Sequence, residues 1–148
     1  ENLKFCLYRC NVVCEFCLII ESEFSMKFEL RQQFRIESAR FLPFLPEQHP
    51  CRQMHGHSFM ITLRLIGESV EPIGWVRDYH EIQKAVEPTL KKLDHQVLNK
   101  VPGLENPTSE NLSYWLYNEI KKTIPELVQI IVAETPSTEC RYPVLSSI

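Results

Sequence analysis

The stretch Cys51-Arg52-Gln53-Met54-His55-Gly56-His57 gathers the side chains best equipped for chemistry. Two histidines separated by one residue on a strand point to the same face, so their imidazoles can converge on one metal ion. Neutral imidazole suits zinc, and a catalytic zinc takes three protein ligands and keeps one position open. The plainer reading is two polar residues at a strand start, one of them exposed. Cys51 lies just upstream. A thiol near a metal or a cationic histidine ionises readily and serves as a base or nucleophile, whereas a small buried core residue is the competing reading. Asp94-His95 is a second polar pair, in which the carboxylate can orient and charge the imidazole for proton transfer. A histidine at a helix C-terminus is also favoured by the helix dipole alone. Glu134 closes the apolar run Ile130-Ile131-Val132-Ala133 and is either a binding carboxylate or a solvated strand end.

These residues need a scaffold, and periodicity supplies one. Phe28, Leu30, Phe34 and Ile36 alternate as in a half-buried strand, with Gln32 breaking the set. Pro43, Pro46 and Pro50 mark a loop. Phe59, Ile61, Leu63 and Leu65 alternate through a second strand, and Gly67 to Gly74 reads as a turn region, with one more strand conceivable near Trp75. Ile82, Val86, Leu90 and Leu93 fall on one face of a helix over about Tyr79 to Leu93, in which Pro88 predicts a kink or a break. After a loop over Lys100 to Pro107, Thr108 is a good N-cap and Glu110 suits the positive helix end. Leu112, Leu116 and Ile120 make that second helix's apolar stripe. The β-branched run Leu127 to Glu134 predicts a last strand, and the tail after Pro136 reads as irregular. The order strand, strand, helix, helix, strand predicts an α+β fold whose antiparallel sheet carries both helices on one face. The edges and open face of such a sheet need cover, and self-association is one solution.

The 148 residues suggest one domain, and the mix of 44% hydrophobic and 24% charged residues is ordinary for a globular chain. A formal charge of −3 gives no basic surplus to argue for nucleic acid or an anionic membrane. Cys6, Cys10, Cys14 and Cys17 crowd the start of the chain while Cys51 and Cys140 stand alone. A disulfide-stapled secreted domain spreads its cysteines through the fold, so the expected setting is a reducing cytoplasm. The apolar stretches near the start are interrupted by Glu15 and fall short of the roughly 18 residues that span a bilayer. They also lack a small-residue cleavage site of the signal-peptide kind. Regular patterning begins at Met26, so residues 1–25 are expected to be a non-native or disordered extension to a single domain over 26–148. The Cys10-x-x-x-Cys14-x-x-Cys17 spacing resembles an iron–sulfur loop, but nothing after it supplies the barrel such an enzyme needs.

Taken in order, Cys51-x-x-x-His55-Gly56-His57, Gly74-Trp75-Val76-Arg77-Asp78-Tyr79, Leu93-Asp94-His95-Gln96-Val97-Leu98-Asn99, Pro107-Thr108-Ser109-Glu110-Asn111 and Val132-Ala133-Glu134-Thr135 resemble the 6-pyruvoyltetrahydropterin synthase superfamily. Several ordered motifs are far more specific than any one of them. The interval between Cys51 and His55 resembles the 6-carboxytetrahydropterin synthase branch. The resemblance implies a tunnelling-type fold whose subunits assemble into barrels, commonly hexamers. It implies conversion of 7,8-dihydroneopterin triphosphate to 6-carboxytetrahydropterin, acetaldehyde and triphosphate on the way to queuosine. It also assigns roles: His55 and His57 as zinc ligands, Cys51 as the catalytic thiol, Asp94 and His95 as the proton relay, and Glu134 with Thr135 as the pterin anchor. The nearest alternative is 6-pyruvoyltetrahydropterin synthase activity, which eliminates triphosphate and keeps the side chain.

One departure stands out. The family usually places a third zinc-binding histidine where Arg40 follows Phe34-Arg35-Ile36-Glu37-Ser38-Ala39. A guanidinium stays protonated and has no lone pair for a metal. Three arrangements remain open: weak zinc on two histidines and waters, a replacement ligand such as His49 or Cys51, or a metal-free site in which Arg40 holds substrate oxygens. Arg40 also motivates a catalytically inactive, pterin-binding alternative.

Overall fold

The computed structural model describes residues 26–145. Four strands, β1 (Lys27–Arg40), β2 (His55–Glu68), β3 (Leu127–Thr135) and β4 (Thr138–Tyr142), form one antiparallel sheet in the order β1-β2-β3-β4. Two helices, α1 (Tyr79–Leu90) and α2 (Ser109–Lys121), separate β2 from β3 in sequence. The α+β arrangement with an antiparallel sheet is as the periodicity predicts.

Strand alternation divides the sheet into two unlike faces. Ile36, Phe59, Ile61, Leu63, Leu65, Ile130 and Val132 are buried and share one core with Ile82 and Val86 of α1 and Leu112, Leu116 and Ile120 of α2. The register Ile36↔Phe59, Ser38↔His57 and Arg40↔His55 puts Arg40, His55 and His57 on this same helix-facing side. The other side carries Glu29, Arg31, Arg35, Glu37 and Arg64, which pair with one another in the open.

Four details differ from the sequence reading. β1 runs unbroken through Gln32, which stays on the helix-facing side and donates from Nε2 to the Tyr79 carbonyl at the start of α1 (3.3 Å). α1 contains Pro88 but ends at Leu90 rather than Leu93, and the chain continues through turns to His95. Past Leu90 the bonding tightens to i→i−3, from Lys92 N to the Thr89 carbonyl (3.2 Å) and from Leu93 N to the Leu90 carbonyl (2.9 Å). The tail after Pro136 forms β4, whose residues are polar and half-exposed. A short edge strand held by backbone bonds leaves no apolar alternation to read. Near Trp75 there is a single bridge to Val70 rather than a strand.

Among the described residues, no helix is long and apolar enough to cross a membrane. The expectations for residues 1–25, including the Cys10, Cys14 and Cys17 spacing, lie outside the described residues.

Candidate functional site

The helix-facing apolar layer ends in a polar cluster where β1 finishes and β2 begins. Arg40 is the last residue of β1 and His55 the first of β2, and they are direct cross-strand partners. Glu134 reaches the same corner from the end of β3. The α2 N-terminus closes it, with Thr108 capping the helix by accepting from Asn111 N (3.2 Å) and Ser109 turned toward Glu134.

Arg40 organises this corner. It is only 3% exposed. Its Nη2 donates to Glu134 Oε1 at 2.6 Å and its Nη1 to the Pro107 carbonyl at 2.8 Å. The guanidinium lies 5.3 Å from the Phe59 ring centre, a cation–π contact. Nη2 also lies 3.4 Å from His57 Nε2. Ser109 donates its hydroxyl to the same Glu134 oxygen that Arg40 holds. The other oxygen, Oε2, faces His57 Nε2 at 3.7 Å. Burial pushes the Glu134 carboxyl up, but the Ser109 and Arg40 hydrogen bonds and the Arg40 charge outweigh it, so the group sits below its ordinary value. Burial and then the Arg40 charge hold His57 below its ordinary value, with Glu134 opposing them.

The hydrogen bonds also fix the tautomers. His55 Nδ1 is 2.8 Å from the Gln53 carbonyl, which can only accept, so Nδ1 carries the proton. His55 Nε2 then presents a lone pair, and this atom is buried without a partner. Arg40 can only donate, so the lone pair of His57 is also at Nε2. The two rings stand edge to face with centres 5.0 Å apart.

These residues do not fit a three-ligand zinc site. Two imidazoles present suitable nitrogens, and a carbonyl behind His55 is the second-layer partner a metal ligand needs. Among the described residues, however, no three His, Cys, Asp or Glu side chains come together to hold a metal. The third side of the corner is filled by the Arg40 guanidinium, and the charge of Glu134 is engaged by that guanidinium. Two unit charges of one sign about 4 Å apart repel by about 4 kcal/mol at an effective dielectric of 20, and a dication doubles the figure.

The remaining candidates lie around this corner. Cys51 is a free thiol, half-buried, in the short 3-10 turn Pro50–Arg52 that leads into β2. Its carbonyl accepts from Leu42 N (2.8 Å) and its backbone N–H donates to His49 Nδ1 (3.1 Å). Among the described residues no hydrogen bond joins its sulfur to His55, His57, Asp94 or His95. His49 serves as the cap of that turn, away from any metal role.

Asp94 and His95 lie beyond α1 rather than in it. Asp94 Oδ1 accepts from Glu37 N at 2.9 Å, and Oδ2 is 3.0 Å from His95 Nδ1. These two bonds, the backbone one first, hold the Asp94 carboxyl below its ordinary range. His95 N donates to the Glu37 carbonyl at 2.6 Å and Ala39 N to the Gln96 carbonyl at 2.9 Å, so this segment docks on the free edge of β1. His95 adopts φ +57°, a left-handed conformation uncommon for a residue with a side chain. Its imidazole is largely exposed. A groove of about 460 Å³ is lined by His95 and His57 together, with Glu37, Ser38 and Ser58.

Glu134 and Thr135 alternate along β3, yet both line one open groove of about 730 Å³. The Thr135 hydroxyl bonds within the β3–β4 turn, at 2.8 Å from that of Thr138. Arg35, Met60 and Glu139 line the same groove.

Sequence reasoning missed Ser109, the Pro107 carbonyl and the Gln53 carbonyl as members of the corner. The Pro-Thr-Ser-Glu run was the available signal for the first two, since Thr108 as N-cap puts Pro107 and Ser109 on either side of the helix entry.

Comparison with known proteins agrees with this architecture. The family model described as 6-pyruvoyl tetrahydropterin synthase matches residues 29–144. A Synechocystis protein named 6-carboxy-5,6,7,8-tetrahydropterin synthase is 32% identical over 117 residues, covering 75% of this chain and 89% of that protein. A Pyrococcus furiosus protein named dihydroneopterin monophosphate aldolase is 36% identical over 78 residues, covering 53% of this chain and 65% of the relative. The structure of a Caenorhabditis elegans 6-pyruvoyl tetrahydropterin synthase superposes with a TM-score of 0.74 at 24% identity, covering 80% of this chain and 97% of that one.

Proposed function

Because the chain belongs to the 6-pyruvoyl tetrahydropterin synthase family, we propose that it is a lyase converting 7,8-dihydroneopterin triphosphate to 6-carboxytetrahydropterin, acetaldehyde and triphosphate. That step belongs to the formation of queuosine and related 7-deazaguanine nucleosides. The observation that carries the reading is the Cys51-x-x-x-His55-Gly56-His57 interval, set in a domain that matches most of a relative bearing the 6-carboxytetrahydropterin synthase name.

The chemistry follows from the side chains. The aminopyrimidine edge of a pterin presents N–H donors, and a carboxylate such as Glu134 accepts from them, here with Oε2, the oxygen that Arg40 and Ser109 leave open. Glu134 is kept anionic for this by Ser109 and Arg40. Cys51 moves protons at the substrate side-chain carbons, a general acid–base role open to a thiol. His95 is the partner relay. Asp94 receives its Nδ1 hydrogen bond, so Nε2 is the free lone pair, ready to take or return a proton. The active unit in this reading is a self-associated oligomer, a hexamer by resemblance, in a cytoplasmic setting.

Purified protein incubated with 7,8-dihydroneopterin triphosphate tests the reading by mass spectrometry of the products. Acetaldehyde with 6-carboxytetrahydropterin is the expected result. Triphosphate without acetaldehyde would identify 6-pyruvoyltetrahydropterin synthase activity instead. A second reading, an inactive pterin binder, is favoured by the Arg40 grip on Glu134. Bound but unconverted substrate would establish it.

A further inference from the structure

We propose that Arg40 stands in the place of a metal ion, making this corner a fixed guanidinium–imidazole centre without a resident divalent cation. The proposal concerns metal binding by the chain itself, so it can be judged whatever pterin product is released.

Four contacts hold the guanidinium where it is. The Pro107 carbonyl and Glu134 take its two terminal nitrogens at 2.8 and 2.6 Å, the Phe59 ring lies against it, and the cross-strand pairing with His55 fixes its backbone. A surface arginine could swing away to admit a cation. This one is 3% exposed and anchored on two strands and the entry to α2. Leaving would deprive the half-buried Glu134 carboxylate of its counter-ion, which is unfavourable.

The unpartnered atoms state what the centre lacks. His55 Nε2 is a buried acceptor with nothing to accept, and Arg40 Nε is a buried donor with nothing to donate to. These residues are direct partners across an antiparallel pair, so their Cβ atoms lie about 4.5–5.5 Å apart. A zinc ion would satisfy the imidazole and be repelled by the guanidinium. His57 agrees with this, because its lone pair at Nε2 is already directed to Arg40 at 3.4 Å.

The test is zinc titration of the full chain, untagged and stripped with chelator, by calorimetry and by metal analysis after desalting. Wild type is expected to take up far less than one zinc per chain. Arg40→His should bind one zinc per chain, on the order of a hundredfold or more tighter than wild type, since it exchanges a repelling charge for a third ligand. His57→Ala added to Arg40→His should abolish that uptake. Stoichiometric, tight zinc binding by wild type that is lost in His57→Ala would overturn the proposal. So would a folded Arg40→His protein that still binds no zinc. If Arg40→His does not fold, the wild-type titration decides alone. Loss of pterin turnover in every sample would refute the functional reading and leave the metal result standing.

Discussion

The two faces of the sheet carry charge in opposite ways. On the outer face, Glu29 bonds Arg64 and Arg31 while Arg35 bonds Glu37, all in contact with solvent. On the helix-facing side, nearly every residue is apolar until the last turn of the layer, where Arg40, His57 and Glu134 meet under the start of α2. Exposed pairs contribute between about zero and 1 kcal/mol each, and their removal is tolerated. A buried pair costs several kcal/mol of desolvation and recovers it only through tight geometry. The same strands thus build a solvated lattice on one side and a costly charged corner on the other. A fold keeps such a corner for chemistry or for specificity, since apolar residues would serve stability as well.

Removing one member of the corner should break the contrast most severely. Arg40→Ala leaves the half-buried Glu134 without its counter-ion and should lower stability by about 3 kcal/mol, the low end for a buried pair, in denaturant unfolding. A change under 1 kcal/mol would mean that the inner corner behaves like the outer face. Cys51→Ala sharpens the separation between site and scaffold. Turnover should fall by about 10²- to 10⁴-fold while the melting temperature stays near wild type, because the thiol bears none of the core's load. At the far end of β2, Gly67→Ala probes packing alone. A Cβ there would meet Val76 Cγ1 at 2.5 Å, so a loss of about 1–3 kcal/mol with unchanged specific activity is expected.

The smallest effect belongs to the outer face. The hydrogen bond from Arg64, then that from Arg31, holds the Glu29 carboxyl down at about 2 against an ordinary 4.5. A depressed carboxylate contributes stability that is fully present above the unfolded value and is lost as pH falls through the folded one. Wild type should therefore exceed Glu29→Gln by less than about 1 kcal/mol at pH 7, and acid unfolding should show the gap closing between pH 4.5 and about 2. A gap that persists at the acid end would refute that pairing as its source.

How much of this was legible depended on whether a residue's partners are local. β2 could be read directly, because Phe59, Ile61, Leu63 and Leu65 alternate and are all fully buried. The convergence of His55 and His57 followed from the same period. Arg40 stood out as a departure, but its partner is Glu134, 94 residues away, and no period links them. Asp94-His95 was placed at the end of a helix that in fact stops at Leu90. What fixes the pair is backbone bonding to Glu37, a contact invisible to local pattern. β4 escaped because Thr138-Glu139-Cys140-Arg141-Tyr142 is a polar edge strand. Its pairing is specified by the tight turn after Thr135 and its hydroxyl bonds.

Product formation by metal-stripped wild-type protein tests the central claim most directly. With 7,8-dihydroneopterin triphosphate and excess chelator, acetaldehyde and 6-carboxytetrahydropterin should appear at the rate seen without chelator. Activity that vanishes on stripping and returns in proportion to added zinc would contradict the account.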